Sequence, residues 1–472
     1  AYLSNLGLAL QASGRLEEAS ARYRRAIELA PDIAAIHNNL GVVLQAMGTP
    51  DAARDSFGKA LALEPGYAEA HANLGLALQA LGDMEGAVAS LRRAVELRPG
   101  YTRAHAGLGQ VLGRLGRHEE AVASLRAALA SNPLDPVLHN NLGIALREAG
   151  DLEGALESYG RAVSYRPDYA EAHLNLARLL RDVGRLEPAI ASYRRALAVR
   201  PQDIAISVAL ASTLLQGDRY DEAAEALRRI CELEPGNGGA RTEYWRTLGH
   251  GCQWNDIDAL RDEIRNFVDR FDPASGEKAG TPFPLLGLLD EPELHLKAAR
   301  DYAAGIVRRV AEAKAPPIRR PAIRSGSGKL RLAYVSSDFH DHATAYLIAE
   351  LFEQHDRERF DVHGISFGPQ EDSAMRRRLE SSFTNFHDLR GAKVRTIAQA
   401  IADIGTDIAI DLKGYTRGAA TGIFVHRPAP IQLQYLGYPG TMGADFIDYV
   451  IADKVVIPVA EQPHYHEKIA YL

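Results

Sequence analysis

The sequence predicts an α-solenoid of short helical repeats followed by an α/β, Rossmann-like lobe. Three observations predict it. Small residues recur at Gly7, Gly41, Gly75, Gly109, Gly143, Ala177 and Ala211, and prolines at Pro31, Pro65, Pro99, Pro133, Pro167, Pro201 and Pro235, both with a step of 34 residues. That step fails after Pro235. From Leu330 onward, short apolar segments alternate with helical ones, the pattern of a parallel sheet with crossover helices.

Each repeat reads as two helices. In the first unit the segment around Leu6–Leu10 ends at Gly14, a residue tolerant of positive φ. Residues 16–29 form the second helix, with Ala19, Tyr23 and Ala26 at helical spacing on one face. Pro31 stops it, because proline removes a backbone donor and clashes with the preceding turn. The small residue at Gly7 lets the paired helices approach closely. One pair cannot bury its apolar face alone, so neighbours stack, and seven such pairs over residues 1–240 are expected. Asn5, Asn39, Asn73, Asn141 and Asn175 share one register; Gly107 and Ala209 interrupt the series. Two readings stay open: a consensus inherited by duplication, or a ladder of amides lining a groove for extended peptides. His37, His71, His105, His139 and His173 also recur, and their regularity makes them packing residues rather than metal ligands.

Residues 241–325 read as a helical docking segment. It comprises a helical stretch over 241–272 anchored by Trp245, Trp254, Leu260, Ile264 and Phe267, a Pro/Gly turn at 280–284, and a helix over 291–314. Pro316, Pro317, Pro321 and the 325–328 run mark a linker. In the lobe, 326–472, strands are expected at 330–335, 360–367, 383–388, 407–411, 431–435, 449–451 and 468–472. Helices are expected at 344–355, 371–382 and 394–404.

Composition excludes several classes. The 472 residues carry a net charge of -7, which argues against binding through nucleic-acid phosphates. Cys231 and Cys252 are too few for a disulfide framework or a paired zinc set, and a reducing, cytoplasmic setting is expected. No apolar run reaches the roughly 18 residues a membrane span needs, and no signal peptide is visible. The chain starts inside a helical pattern without an initiator Met, so a fragment is expected at that end.

Ligands of doubly wound sheets bind beyond the carboxyl ends of the strands, which directs attention to three loops. The first runs from Ser336 to Thr344 through Asp338, Asp341 and His342. The second runs from Leu412 to Gly418 through Tyr415 and Arg417. The third runs from Leu436 to Gly443 through Gly437, Pro439, Gly440 and Thr441. Plainer readings stand beside each: His342, Asp338 and Asp341 can cap the following helix, and the glycines can serve tight turns. No G-x-G-x-x-G follows the first strand, so a standard dinucleotide site is excluded.

The repeats, followed in order by Tyr334-Val-Ser-Ser-Asp-Phe-His-Asp-His342, Asp411-Leu-Lys-Gly-Tyr-Thr-Arg-Gly418, Arg427-Pro-Ala-Pro-Ile-Gln432 and Leu436-Gly-Tyr-Pro-Gly-Thr-Met-Gly443, resemble the protein O-GlcNAc transferase family. The resemblance implies an inverting glycosyltransferase of the two-lobed GT-B arrangement. It moves N-acetylglucosamine from UDP-GlcNAc to Ser or Thr of proteins, with no metal or other cofactor. It implies catalytic roles for Asp338, as an aid to proton transfer, and for His342. Donor contacts fall to Asp341, Thr344, Tyr415, Arg417, Leu436, Gly437, Pro439, Gly440 and Thr441. Protein substrates are expected in a groove lined by Asn5, Asn39, Asn73, Asn141 and Asn175, with a homodimer through the repeats also open. The family's second lobe, which holds the uridine and a lysine, has no counterpart in these residues, so the 472-residue chain is expected to be inactive without it. An O-fucosyltransferase using GDP-fucose, or a repeat scaffold without catalysis, are the alternatives.

Overall fold

The computed structural model describes residues 2–252, 257–275, 277–319 and 328–472. The expected anchor Trp254, Pro321 and most of the 325–328 run lie outside them. The chain divides into two compact units, Ala1–Gly217 and Asp218–Leu472.

The first unit is a stack of helical hairpins, from Tyr2–Ala12 with Leu16–Leu29 to Ala170–Asp182 with Leu186–Val199, closed by Ile204–Gln216. Three devices repeat along it. The first is a small residue facing a large one. A Cβ added at Gly7 would lie 2.8 Å from the Tyr23 ring, at Gly41 2.5 Å from Phe57, and at Gly143 2.6 Å from Tyr159. Tyr23, Phe57 and Tyr159 are fully buried, so the glycines exist to admit them. The second is the turn between paired helices. Gly14, Gly48, Gly82, Gly116, Gly150 and Gly184 all adopt positive φ there, and Asp218 takes the same conformation at the next step, φ 56°. The third is the histidine series. Nε2 of His37, His71, His105, His139 and His173 donates to the carbonyls of Pro31, Pro65, Pro99, Pro133 and Pro167 at 2.8, 3.0, 2.8, 2.9 and 3.0 Å. The imidazole ties the start of each hairpin to the proline turn before it. This is the packing role expected of the series.

The second unit begins with Tyr220–Leu233, which the 34-residue step makes the second helix of the seventh repeat. The expected helix over 241–272 is two, Gly238–His250 and Ile257–Arg270. Trp245, Leu260, Ile264 and Val268 form a small core between them. Pro292–Glu312 leads to the sheet.

The sheet has seven parallel strands: β1 (Leu330–Ser336), β2 (Phe360–Ser366), β3 (Asn385–Asp388), β4 (Ile408–Asp411), β5 (Ile431–Tyr435), β6 (Tyr449–Ala452) and β7 (Lys468–Tyr471). Their order is β3-β2-β1-β4-β5-β6-β7. Val335 on β1 pairs with Ile365 on β2 and with Asp411 on β4, which levels the carboxyl ends of these strands. One apolar layer, with Ile397, Ile401, Ile423 and Ile306, covers one face, and another, with Ile348, Phe352 and Leu379, covers the other. The helix expected from 371 starts at Ala374, because Ser373 caps it by accepting the Arg376 N–H.

Replacing Gly143 by Val forces a branched side chain onto the Tyr159 ring. The expected cost is about 1–3 kcal/mol, seen as a lower melting midpoint by far-UV circular dichroism. At the equivalent position Ala177 is buried with its methyl already accommodated, so Ala177→Gly should lose no more than about 1 kcal/mol.

Candidate active site

Helical crossovers run from β1 toward β2 on one side and from β3 back to β4 on the other. The crevice of a doubly wound sheet therefore opens between the carboxyl ends of β1 and β4. Two of the three loops singled out in the sequence flank it, and a buried ion pair joins them. Lys413 Nζ, after β4, donates to both carboxylate oxygens of Asp338, after β1, at 2.8 and 2.7 Å. Their side chains are only 7% and 8% exposed.

Local structure dictates both placements. The Asp338 N–H donates to Ser336 Oγ at 2.9 Å, which turns the chain sharply off β1. The guanidinium of Arg376 is buried behind that turn. It donates to the Phe339 carbonyl and to Ser366 Oγ, both at 2.9 Å, to Asp388 at 3.0 Å and to Glu380 at 2.7 Å. On the other side, Asp411 ends β4 and accepts the Lys413 N–H at 2.8 Å. Asp411 is wholly buried, and desolvation raises its carboxyl to about 6 against the pull of the Lys413 and Gly414 N–H groups.

His342 is the open member of the cluster, with its side chain 41% exposed. It caps the helix Ala343–Gln354, its Nδ1 accepting the Thr344 N–H at 3.1 Å. The capping reading and the functional reading thus hold for the same ring. Nδ1 stands 3.6 Å from Asp338, outside hydrogen-bonding distance, while Thr344 Oγ1 reaches Asp338 at 3.4 Å.

The structure brings Asp338, His342 and Thr344 together at the crevice and places the other singled-out residues as follows. Both Asp338 oxygens accept from Lys413, and Oδ2 lies 3.4 Å from Thr344 Oγ1 as well. Tyr415 is buried and donates its hydroxyl to the Met442 carbonyl at 2.6 Å. Thr441 is buried too: its hydroxyl donates to Glu467 at 2.8 Å and accepts the Gly443 and His466 N–H groups. Both hydroxyls are thus engaged within the protein, and Gly440 is buried with them. Asp341 is exposed, with its N–H on Glu371. Arg417, Leu436 and Pro439 are exposed, and Leu436 holds a positive φ of 71°. Gly437 is obligatory, since a Cβ there would lie 1.9 Å from the Leu412 carbonyl. Lys413 was missed. Its signal was present: a lysine between Leu412 and Gly414 at the end of an apolar strand is buried, and a buried ammonium needs a carboxylate.

In the repeats, Asn73 and Asn175 are buried, and each donates its amide to the preceding repeat, to Asn38 at 2.9 Å and Asn140 at 3.0 Å. These two amides bridge repeats rather than present to a groove. Thirty-five residues before Asn39 and Asn141 stand Ser4 and Ala106, which offer no amide, and both asparagines are half-buried. Asn5 is exposed.

A comparison with known proteins places this geometry. The model of glycosyl transferase family 41 matches residues 288–472, the span that carries the sheet and all three loops. The first half matches the C-terminal domain of cilia and flagella-associated protein 70 over 3–196, and a tetratricopeptide repeat model covers 174–238. Curated proteins are similar over part of the chain as well. A probable UDP-N-acetylglucosamine–peptide N-acetylglucosaminyltransferase of Arabidopsis thaliana is 33% identical over 231 residues, 48% of this chain and 24% of that protein. The corresponding transferase of Caenorhabditis elegans is 40% identical over 145 residues, 30% of this chain and 13% of its own length. The matches thus span about a quarter or less of these relatives. A solved O-GlcNAc transferase mutant of Thermobaculum terrenum is 21% identical, covering 86% of this chain and 57% of that one, with a TM-score of 0.35. Among the described residues no helix is long and apolar enough to cross a membrane.

Because the Asp411 carboxyl is raised from 3.8 to about 6 on folding, the folded state holds a proton the unfolded chain releases between those values. Its stabilising contribution is therefore complete below about pH 4 and lost as pH climbs through about 6. Asp411→Asn should gain stability relative to wild type across that window and hold a constant difference above it. Denaturation followed by tryptophan emission checks this, since Trp245 is buried in the second unit.

Proposed function

We propose that this chain acts in a protein O-linked N-acetylglucosaminyltransferase, moving N-acetylglucosamine from UDP-GlcNAc to Ser or Thr hydroxyls with inversion and without a metal ion, in the cytoplasm. The observation that carries the reading is the crevice between β1 and β4. An exposed imidazole backed by a buried ion pair stands there, on a family 41 domain preceded by helical repeats.

The chemistry asks for three things: an acceptor oxygen placed against the anomeric carbon, stabilisation of the departing diphosphate, and exclusion of water. The new carbon–oxygen bond forms as the bond to the diphosphate breaks; the diphosphate leaves with the electron pair, and the proton of the acceptor hydroxyl passes to an oxygen of that departing diphosphate. His342 lies at the mouth of the crevice and hydrogen-bonds the reacting groups. The exposed Arg417 and the backbone N–H groups of the glycine loops supply positive potential for the phosphates. Asp338 acts one step back, through Lys413, Thr344 and the placement of His342.

In the full-length protein, His342→Ala should lower transfer of radiolabelled sugar to a Ser-containing peptide by about a hundredfold. Asp338→Asn should lower turnover more than donor affinity. Unchanged rates in both variants would remove the crevice from the reaction. Transfer from GDP-fucose but not UDP-GlcNAc would change the donor, and transfer from neither would leave a repeat scaffold.

Protein substrates are proposed to lie along the repeats. The free amides of Asn39 and Asn141 support this, since amides bind an extended backbone with little regard to sequence. Asn39→Ala with Asn141→Ala should weaken turnover of whole-protein substrates severalfold and leave a short peptide nearly unaffected. The equivalent change at Asn73 and Asn175 should instead lower the melting midpoint, since it breaks the bridges between repeats.

A further inference from the structure

The His342 ring has a choice of partners at Nδ1, and that choice decides its chemistry. The Thr344 N–H is a donor only, so a ring nitrogen accepting it carries no proton, and the neutral ring then bears its hydrogen at Nε2. If Nδ1 met a carboxylate instead, the hydrogen would sit at Nδ1 and Nε2 would be a lone-pair base. A carboxylate is close at hand: Asp338 Oδ2 is 3.6 Å from Nδ1. What holds it off is Lys413, which takes both Asp338 oxygens at 2.8 and 2.7 Å. The other charged groups around the ring do not supply an alternative. His340 lies edge-on to it, with centroids 5.4 Å apart, and is itself paired with Glu371 at 3.3 Å. Glu371 also receives the Asp341 N–H.

We infer that Lys413 is a positioning residue that sets the tautomer of His342. By keeping Asp338 turned to itself, it leaves Nδ1 to the helix N-terminus, and the ring presents Nε2–H to the crevice. His342 is thereby a hydrogen-bond donor toward an oxygen of the bound sugar diphosphate or its acceptor, and not the base that removes the acceptor proton. The direction of that donation rests on the proposed function; the tautomer does not.

The test reads the ring directly. Full-length protein labelled with 15N in its histidine rings is compared with His342→Gln to find the His342 resonances. In wild type at a pH where the ring is neutral, Nδ1 should give the downfield, pyridine-like signal and Nε2 the upfield, protonated one. The reverse assignment overturns the inference, whatever the activity shows. Lys413→Met should exchange the two signals as Asp338 turns to Nδ1, Lys413→Arg should restore the wild-type pattern, and Lys413→Met with Asp338→Asn should keep it. A Lys413→Met protein with native tryptophan emission and an unchanged pattern also overturns the inference. Should Lys413→Met not fold, the wild-type assignment and the Lys413→Arg spectrum still decide the question. Loss of transfer activity with the tautomer as stated would count against the proposed function alone.

Discussion

Strands β1 and β4 are neighbours in the sheet, yet the loops that leave them belong to crossovers running in opposite directions, so nothing in the backbone obliges those loops to meet. They are joined by the Asp338–Lys413 pair. Two charges withdrawn from water repay the desolvation only when each satisfies the other, and here the ammonium reaches both oxygens of the carboxylate. Everything at the mouth of the crevice is registered against this bridge. The turn carrying Asp338 places His342 at the start of its helix, and the Lys413 N–H on Asp411 fixes where the second loop departs. The third loop is seated on the second, with the Gly437 backbone against the Leu412 carbonyl. Breaking one partner alone would leave a buried charge unmatched. The bridge therefore specifies a geometry more than it contributes net stability.

The solenoid is organised by a different economy. Its stability is a sum of near-identical local contacts: a glycine that admits a ring, a left-handed glycine that turns the hairpin, a histidine that ties a helix to the preceding proline carbonyl. Because these contacts are met within each hairpin and its neighbour, the remaining faces are free to vary. The asparagine register shows this. Where the previous repeat offers Asn38 or Asn140, the amide is drawn inward as a bridge; where it offers Ser4 or Ala106, it is not. One register thus contains two kinds of residue, sorted by what lies 35 positions earlier.

Periodicity made the repeats legible, because small residues, turn glycines and prolines each answer a backbone requirement that recurs at a fixed step. Strand positions were legible for the same kind of reason: a buried parallel strand is a short apolar run. Helix starts were less so, as at Ala374, where a single serine cap decides the first residue. The site was legible as loops but not as contacts. Asp338 and His342 stood out by residue type, whereas Tyr415 and Thr441 looked equally available until burial showed their hydroxyls turned inward. Lys413 carried a signal of burial in its sequence context but its partner did not, since only the sheet order reveals that residues 75 apart in sequence face each other.

A capping residue and a reacting residue make opposite demands on one side chain, the first wanting it fixed against the helix and the second wanting a free atom. Histidine reconciles them because its two nitrogens are distinct. Nδ1 closes the helix N-terminus of Ala343–Gln354, and the same bond leaves the hydrogen on the far nitrogen. A serine at this position would cap as well, but its single oxygen would be engaged in doing so. The ion pair completes the arrangement by removing the competing acceptor. Helix geometry, tautomer and the buried bridge are thus three consequences of placing one strand end beside another.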